Sequence, residues 1–148
     1  MSNLTFKIGM SKPHTHLYEV SVEVKSPGKN LVFEMPAWTP GSYLIREYSR
    51  HVQDVGAKDG QGADLPWRKV GKASWEVDCA DCDDVTLSYK VYAHDLTVRT
   101  SHLDMSHGYF NGANVFACPA GYEDSPSVLA VEPAFDWRVS VALPSVGE

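Results

Sequence analysis

The segment HLYEVSVEV, residues 16–24, alternates strictly between apolar and polar side chains and predicts the fold class of the chain. Successive side chains of a β-strand point to opposite faces, so a period of two residues indicates a strand with one buried face. The predicted buried face carries Tyr18, Val20, Val22 and Val24.

Five later segments alternate in the same way and predict further strands. They are LVFEM (31–35), SWEVD (74–78), VTLSYKVYA (85–93), LTVRT (96–100) and WRVSVAL (137–143). A turn at Ser26-Pro27-Gly28 separates the first of them from residues 16–24. Because Pro and Gly favour tight turns, LVFEM is predicted to be the antiparallel partner of residues 16–24.

The remaining local signals are a hairpin turn and a short helix. Asn111-Gly112 favours a tight primed turn and predicts a hairpin that joins residues 109–110 to the NVFA run beyond it. SYLIREYSRHV (42–52) fits a short helix, or equally a strand followed by a turn. The sequence therefore predicts an all-β fold, an antiparallel β-sandwich of about seven or more short strands with at most one short helix near 42–52.

The composition is that of one globular domain with a substantial core. The chain has 148 residues, of which 43% are hydrophobic and 22% charged, and its net charge is −6 without a basic stripe. Nucleic-acid binding is therefore not expected. No apolar run approaches the ~20 residues of a membrane span, and the first residues lack the apolar region of a signal peptide. We expect a cytoplasmic protein without a membrane partner.

The three cysteines are Cys79, Cys82 and Cys118, and the first two form a lone C-x-x-C. A structural zinc site takes four protein ligands, so one such pair supplies half a site. An odd number of cysteines in a chain with a sizeable core also argues against a disulfide scaffold. We expect all three to be reduced thiols.

Histidine and aspartate are concentrated in SHLDMSHG, residues 101–108. His102, Asp104 and His107 are residue types that hold metal ions, and a His–Asp pair can also act as a base with its orienting group. His14 and His16 have the spacing that chelates a metal from one face of a strand. Neither set comes with the further ligands or the nucleophile of a complete site, so we expect structural roles and no metal site here.

Motifs of the common catalytic machineries are missing from the sequence. None of the six histidines is followed by Glu, which excludes HExxH, and there is no G-x-S-x-G elbow, P-loop or dinucleotide fingerprint. We therefore predict no catalytic residue in this chain.

The segment PAWTPGSYLIREYSRHV, residues 36–52, is too aromatic for a solvated loop and too charged for a plain core segment. We expect aromatic residues such as Tyr43 to pack the sandwich. Arg46, Glu47 and Arg99 are predicted to form structural ion pairs that pin this segment. Recognition of a carboxylate or peptide is the functional alternative, because the planar fork of arginine suits it.

Several stretches, taken in order, resemble the N-terminal domain of the glycyl aminopeptidase family of zinc metallopeptidases, which have a thermolysin-like catalytic domain followed by a PDZ domain. Together they cover nearly the whole chain from about His14, and PGSYLIRE followed by YAHDLTVR and FNG is the most specific part. The matching stretches are MPAWTPGSYLIREYSRHV (35–52), Trp75-x-Val77, LSYKVYAHDLTVRTSHLD (87–104), HGYFNGANVFACPAG (107–121) and WRVSVALP (137–144).

The resemblance implies that the chemistry is performed outside this chain. In that family HExxH and a downstream Glu bind zinc, and the motif Glu activates water. Residues 1–148 would then be a single β-rich N-terminal domain of a longer metallopeptidase that removes N-terminal Gly or Ala from peptides. The implied zinc lies in the downstream catalytic domain, with no cofactor in this chain. The implied partners are that domain and the peptide substrate, and Arg46 and Glu47 would lock the corner of the sandwich or face that domain.

The resemblance also implies a candidate substrate-binding loop at residues 108–114. In related aminopeptidases the N-terminal domain leans over the active-site cleft and helps to hold the N-terminus of the substrate. Asn111 and Gly112, with Gly108, allow close backbone approach, and Tyr109 and Phe110 offer walls for a small pocket.

Two other functions stay open. A free-standing β-sandwich that binds peptide or carbohydrate would use Trp38, Trp67 and exposed tyrosines. A small metal-dependent hydrolase would be built on His102, Asp104 and His107.

Overall fold

The computed structural model of the chain describes residues 3–25, 27, 30–36, 48–79, 84–94 and 101–144. Within these ranges the chain forms eleven strands, one single-turn helix, α1 (Gly112–Val115), and 3₁₀ turns at Pro13–Thr15 and Tyr48–His51. The strands are β1 (Leu4–Gly9), β2 (Leu17–Lys25), β3 (Leu31–Glu34), β4 (Val52–Asp59), β5 (Trp67–Gly71), β6 (Ser74–Val77), β7 (Asp84–Tyr92), β8 (His102–Leu103), β9 (Gly108–Tyr109), β10 (Cys118–Pro119) and β11 (Ser127–Glu132).

The larger sheet has five strands in the order β11-β1-β2-β7-β4. Its centre is the long antiparallel pair of β2 and β7, in which Val20 lies opposite Tyr89 and Val22 opposite Leu87. Every second residue of both strands is buried, as the alternation in the sequence predicts. The edge strand β11 pairs in parallel with β1, whereas the other pairs of this sheet are antiparallel.

The smaller sheet has four strands in the order β10-β3-β6-β5 and packs against the larger one. Phe33 of β3 and Val77 of β6 are fully buried in the shared core. The rings of Trp75 in β6 and Tyr89 in β7 stack between the two sheets, with centroids 6.5 Å apart and planes 7° from parallel. The third sheet is the hairpin of β8 and β9.

The all-β prediction is confirmed, and so are four of the predicted strands. Residues 16–24, 31–35, 74–78 and 85–93 form β2, β3, β6 and β7 within a residue or two of the predicted bounds. Of the segment 42–52, residues 48–51 form a 3₁₀ turn and residue 52 begins β4. Residues 42–47 and the predicted strand 96–100 lie outside the described residues.

Two predictions of strand pairing are wrong. The segment LVFEM does not pair with residues 16–24, because β2 pairs with β1 and β7 while β3 pairs with β6 and β10 in the other sheet. Asn111-Gly112 does not form a hairpin turn either. Asn111 instead caps α1, its side-chain oxygen accepting the Ala113 N–H at 3.0 Å. A capping bond satisfies a helix N–H that otherwise has no partner, which favours the helical turn.

The predicted strand at 137–143 is also absent, because these residues pair with no strand of the described part of the chain. Trp137 packs partly against the core, but Val139, Val141 and Leu143 are 49%, 53% and 59% exposed. The alternating apolar side chains of this segment therefore form a face that no described residue covers.

The expectation of three reduced thiols is wrong for Cys79, which is disulfide-bonded and fully buried. Cys118 is a free thiol, half-buried, and its pKa is raised by burial and by the nearby carboxylates of Glu123 and Glu34. Cys82 lies outside the described residues.

Candidate functional site

The β8–β9 hairpin is built around one aspartate. The carboxylate of Asp104 accepts hydrogen bonds from the backbone N–H groups of Ser106 and His107 at 2.7 and 3.1 Å, and from the Ser106 hydroxyl at 2.6 Å. An aspartate side chain that bonds the backbone two or three residues later closes a tight turn. The turn places His102 opposite Tyr109 and Leu103 opposite Gly108.

A tyrosine of the central sheet holds this hairpin in place. The hydroxyl of Tyr18, on β2, donates to the His102 carbonyl at 2.8 Å and accepts the backbone N–H of Tyr109. Burial raises the pKa of Tyr18, so the phenol stays protonated. A Cβ atom at Gly108 would lie 2.7 Å from the Tyr18 hydroxyl, which is closer than real contacts allow. Gly108 therefore permits the close approach of the hairpin to β2.

The three residues of the SHLDMSHG cluster converge. His102 is 4% exposed, and its Nε2 lies 2.9 Å from Oδ2 of Asp104. His107 Nδ1 lies 3.7 Å from Oδ1 of the same carboxylate, and one ligand atom from each residue lies within 4.8 Å of the others. Hydrogen bonds from Ser106 and then His102 lower the pKa of Asp104, so it is ionised at neutral pH.

The same cluster does not form a nucleophilic triad. Ser106 Oγ lies 2.8 Å from His107 Nδ1, but it also contacts Asp104 directly at 2.6 Å. In a triad the carboxylate binds the histidine nitrogen that faces away from the serine, which orients the base. Here Asp104 approaches the same nitrogen that faces Ser106, so the arrangement suits cation binding better than acyl transfer.

A row of stacked imidazoles continues from this cluster. Ring centroids of His102 and His107 are 5.0 Å apart, those of His94 and His102 are 5.5 Å apart, and those of His16 and His94 are 3.8 Å apart. His16 Nδ1 is also 2.6 Å from the Leu103 carbonyl. His14 and His16 do not share one face of a strand, because residues 13–15 form a 3₁₀ turn.

A cavity of about 530 Å³ adjoins the hairpin. Its walls come from residues 106–110 and from the unpaired segment 137–142, and Leu129 and Val131 of β11 also line it. Arg138 and His107 are the basic side chains of the lining. No local pattern predicts the contribution of β11 or Arg138, since the pairing of β11 with β1 joins distant parts of the chain.

The predicted loop residues separate into two pairs. Tyr109, 47% exposed, and the partly buried Phe110 line the cavity. Asn111 and Gly112 lie outside its lining and begin α1. Tyr43, Arg46, Glu47 and Arg99, the predicted structural or interdomain residues, lie outside the described residues.

The fold is that of an all-β sandwich domain with a partly apolar cavity beside the β8–β9 hairpin. The chain belongs to the family described as the Peptidase M61 N-terminal domain, which matches residues 5–148. No curated protein sequence matches the chain.

Two kinds of solved structure are similar. An aminopeptidase N family protein from Idiomarina loihiensis is 32% identical with a TM-score of 0.83, over 88% of this chain and 22% of that chain. An M1 zinc metallopeptidase mutant from Deinococcus radiodurans, bound to a Tyr-Ser-Ala substrate, is 13% identical with a TM-score of 0.45, over 88% of this chain and 31% of that chain. The similarity to this second structure is too low to support a conclusion about function. The chain thus spans less than a third of either protein.

No helix among the described residues has the length and apolar character needed to cross a membrane.

Proposed function

We propose that this chain is the non-catalytic N-terminal domain of a zinc-dependent glycyl aminopeptidase. In this proposal it packs against a downstream catalytic domain and shapes the cleft that receives the N-terminus of a peptide. The observation that carries the proposal is the cavity between the 106–110 hairpin and the apolar segment 137–142.

The absence of a zinc-peptidase motif from the sequence supports a non-catalytic role. None of the six histidines is followed by Glu, so the HExxH ligands and the general base of such an enzyme come from elsewhere. In this proposal the zinc and its activated water accordingly belong to the downstream domain.

The exposed side chains of residues 139–143 support a docking role. Val139, Val141 and Leu143 are each about half exposed or more and follow one another at every second position. Contiguous exposed apolar surface is typical of protein–protein contacts. A domain that spans 22% of a similar multidomain chain has a natural partner for this surface, namely the rest of the protein.

The aromatic residues of the hairpin support a role at the substrate cleft. Tyr109 and Phe110 present their rings to the cavity, and the Tyr18 contacts to residues 102 and 109 fix the hairpin on the central sheet. Rigid aromatic walls limit the size of the side chain that can be accommodated, which suits preference for N-terminal Gly or Ala.

The test compares substitutions in the full-length protein. Tyr109→Ala is expected to lower kcat/KM for Gly-headed peptides by about tenfold and to narrow the discrimination against Leu-headed peptides, because a pocket wall is worth ~1–3 kcal/mol. Trp67→Ala, which removes an exposed aromatic ring on the smaller sheet, is the matched control and should leave both values unchanged.

Equal kinetics for Tyr109→Ala and the wild type would contradict the role at the cleft. The peptide- or carbohydrate-binding alternative would gain support if the isolated chain bound such ligands and lost them on Trp67→Ala.

A further inference from the structure

We propose that His102, Asp104 and His107 form a binding site for a divalent transition-metal ion of the Zn²⁺ type. This proposal does not depend on the function proposed above.

The donor set is the first argument. Two imidazoles and one carboxylate are common ligands of zinc and of neighbouring transition metals. One donor atom from each residue lies within 4.8 Å of the others, and Nε2 of His102 is already 2.9 Å from the carboxylate. Metal–ligand bonds of about 2.0–2.2 Å separate neighbouring donors in a tetrahedral site by roughly 3.3 Å. The three donor atoms are therefore at most about 1.5 Å farther apart than a tetrahedral site requires.

The fixed position of the Asp104 carboxylate is the second argument. Two backbone N–H groups fix this carboxylate in the turn. Ligands held in place before binding lose less entropy when the ion binds.

The burial of His102 is the third argument. Its side chain is 4% exposed, and its Nδ1 has no hydrogen-bond partner among the described residues. Because little water reaches this side chain, few solvent molecules compete with a cation for Nε2. The attraction between a cation at this place and the Asp104 carboxylate is also stronger than in bulk water.

The position of the cluster suggests what the ion does. His107 belongs both to the cluster and to the cavity lining, and the hairpin between His102 and His107 leads directly into Tyr109. An ion bound by both histidines would cross-link the two strands of the hairpin. The site would therefore stiffen the wall that carries Tyr109 and Phe110.

The experiment titrates the untagged chain with Zn²⁺ by calorimetry and follows its thermal unfolding with Zn²⁺ or with a chelator. The expected result is one saturable site per chain. The expected rise in Tm is about 8 °C when free Zn²⁺ is about a hundredfold above Kd. Crystals grown with Zn²⁺ should show an anomalous-scattering peak between the three side chains.

Two variants and one control make the assignment specific. Asp104→Asn retains an oxygen that can accept the backbone hydrogen bonds of the turn, but it removes the charge. His107→Ala changes a side chain that is 55% exposed. Each is expected to weaken Zn²⁺ binding by more than about tenfold, since even residues behind metal ligands cost that much. His14→Ala, an exposed histidine outside the cluster, should bind like the wild type.

Either of two results would overturn the proposal. One is the absence of saturable Zn²⁺ binding by a folded wild-type chain. The other is binding by Asp104→Asn and His107→Ala that is as tight as in the wild type, which would place the ion elsewhere.

Discussion

Tyr89 connects the larger sheet to the segment around α1 through its hydroxyl. This buried group donates to the Val115 carbonyl at 2.5 Å and accepts the Ala117 N–H at 2.9 Å. The alternation of β7 predicts that Tyr89 points inward, but it does not predict either partner. Both partners lie more than 20 residues away, so their positions depend on the whole fold rather than on local pattern.

The substitution Tyr89→Phe tests these two hydrogen bonds. The ring and its stacking on Trp75 remain, while a buried carbonyl and a buried N–H lose a partner. We expect the free energy of unfolding to fall by about 1–3 kcal/mol, measured by urea denaturation. Tyr92→Phe, at an exposed tyrosine, is the control. Equal midpoints for Tyr89→Phe and the wild type would show that water replaces the lost hydroxyl.

The same variant has a defined dependence on pH. Burial raises the pKa of Tyr89 above its ordinary value of about 10. Because the pKa of Tyr89 is higher in the folded than in the unfolded protein, its hydroxyl contributes fully to stability below about pH 10. That contribution is lost as the pH rises further. Phenylalanine does not ionise, so the difference in stability between the wild type and Tyr89→Phe should narrow above about pH 10.

At the scale of elements, alternation predicts strands well where one face is buried by the other sheet. β2, β3, β6 and β7 all have such a face, and all four were predicted. β5 is exposed along its whole length and β11 is half-buried on both faces, so neither shows the pattern. β1 also alternates at Leu4, Phe6 and Ile8, although the sequence analysis predicts no strand there. Residues 137–143 alternate without a partner strand among the described residues, since alternation shows a preference for burial and not the burial itself.

The helix α1 shows how a single side chain decides between two local structures. Asn111 has extended backbone angles, φ −108° and ψ 136°, and its side chain caps the helix. Asn111→Ala removes the capping oxygen and is expected to lower the free energy of unfolding by about 1 kcal/mol. Asn111→Ser keeps a capping oxygen and should recover most of that loss. If both variants are equally destabilised, Asn111 has a role other than capping.

At the scale of the whole molecule, the sequence predicts only the part of the candidate site whose residues are close together in the chain. His102, Asp104 and His107 lie within six residues and were named together, because a short turn brings such residues close. The contacts of His16 and His94 with this cluster depend on β2 and β7 being neighbours. The cavity likewise depends on β11 returning to pair with β1.

The apolar segment 137–143 predicts different behaviour for the chain alone and for the full-length protein. Val141→Ser changes an exposed side chain, so the stability of the isolated chain should stay within about 0.5 kcal/mol of the wild type. In the full-length protein the same change is expected to lower the thermal midpoint, because the side chain would be buried at a domain contact. Val70→Ser, at an equally exposed valine on β5, is the control. Matching midpoints for the two full-length variants would argue against docking through this face.

Because β1 pairs in parallel with β11, the larger sheet can be completed only after β11 has been synthesised. β1 is synthesised before β2, β4 and β7 of the same sheet, whereas β11 is the last strand in the described part of the chain. Until residues Ser127–Glu132 have been synthesised, the backbone amide and carbonyl groups along one edge of β1 are unpaired. A strand of another molecule can then bond to that edge. A nascent chain halted before residue 127 is therefore open to aggregation at the edge that the finished domain closes.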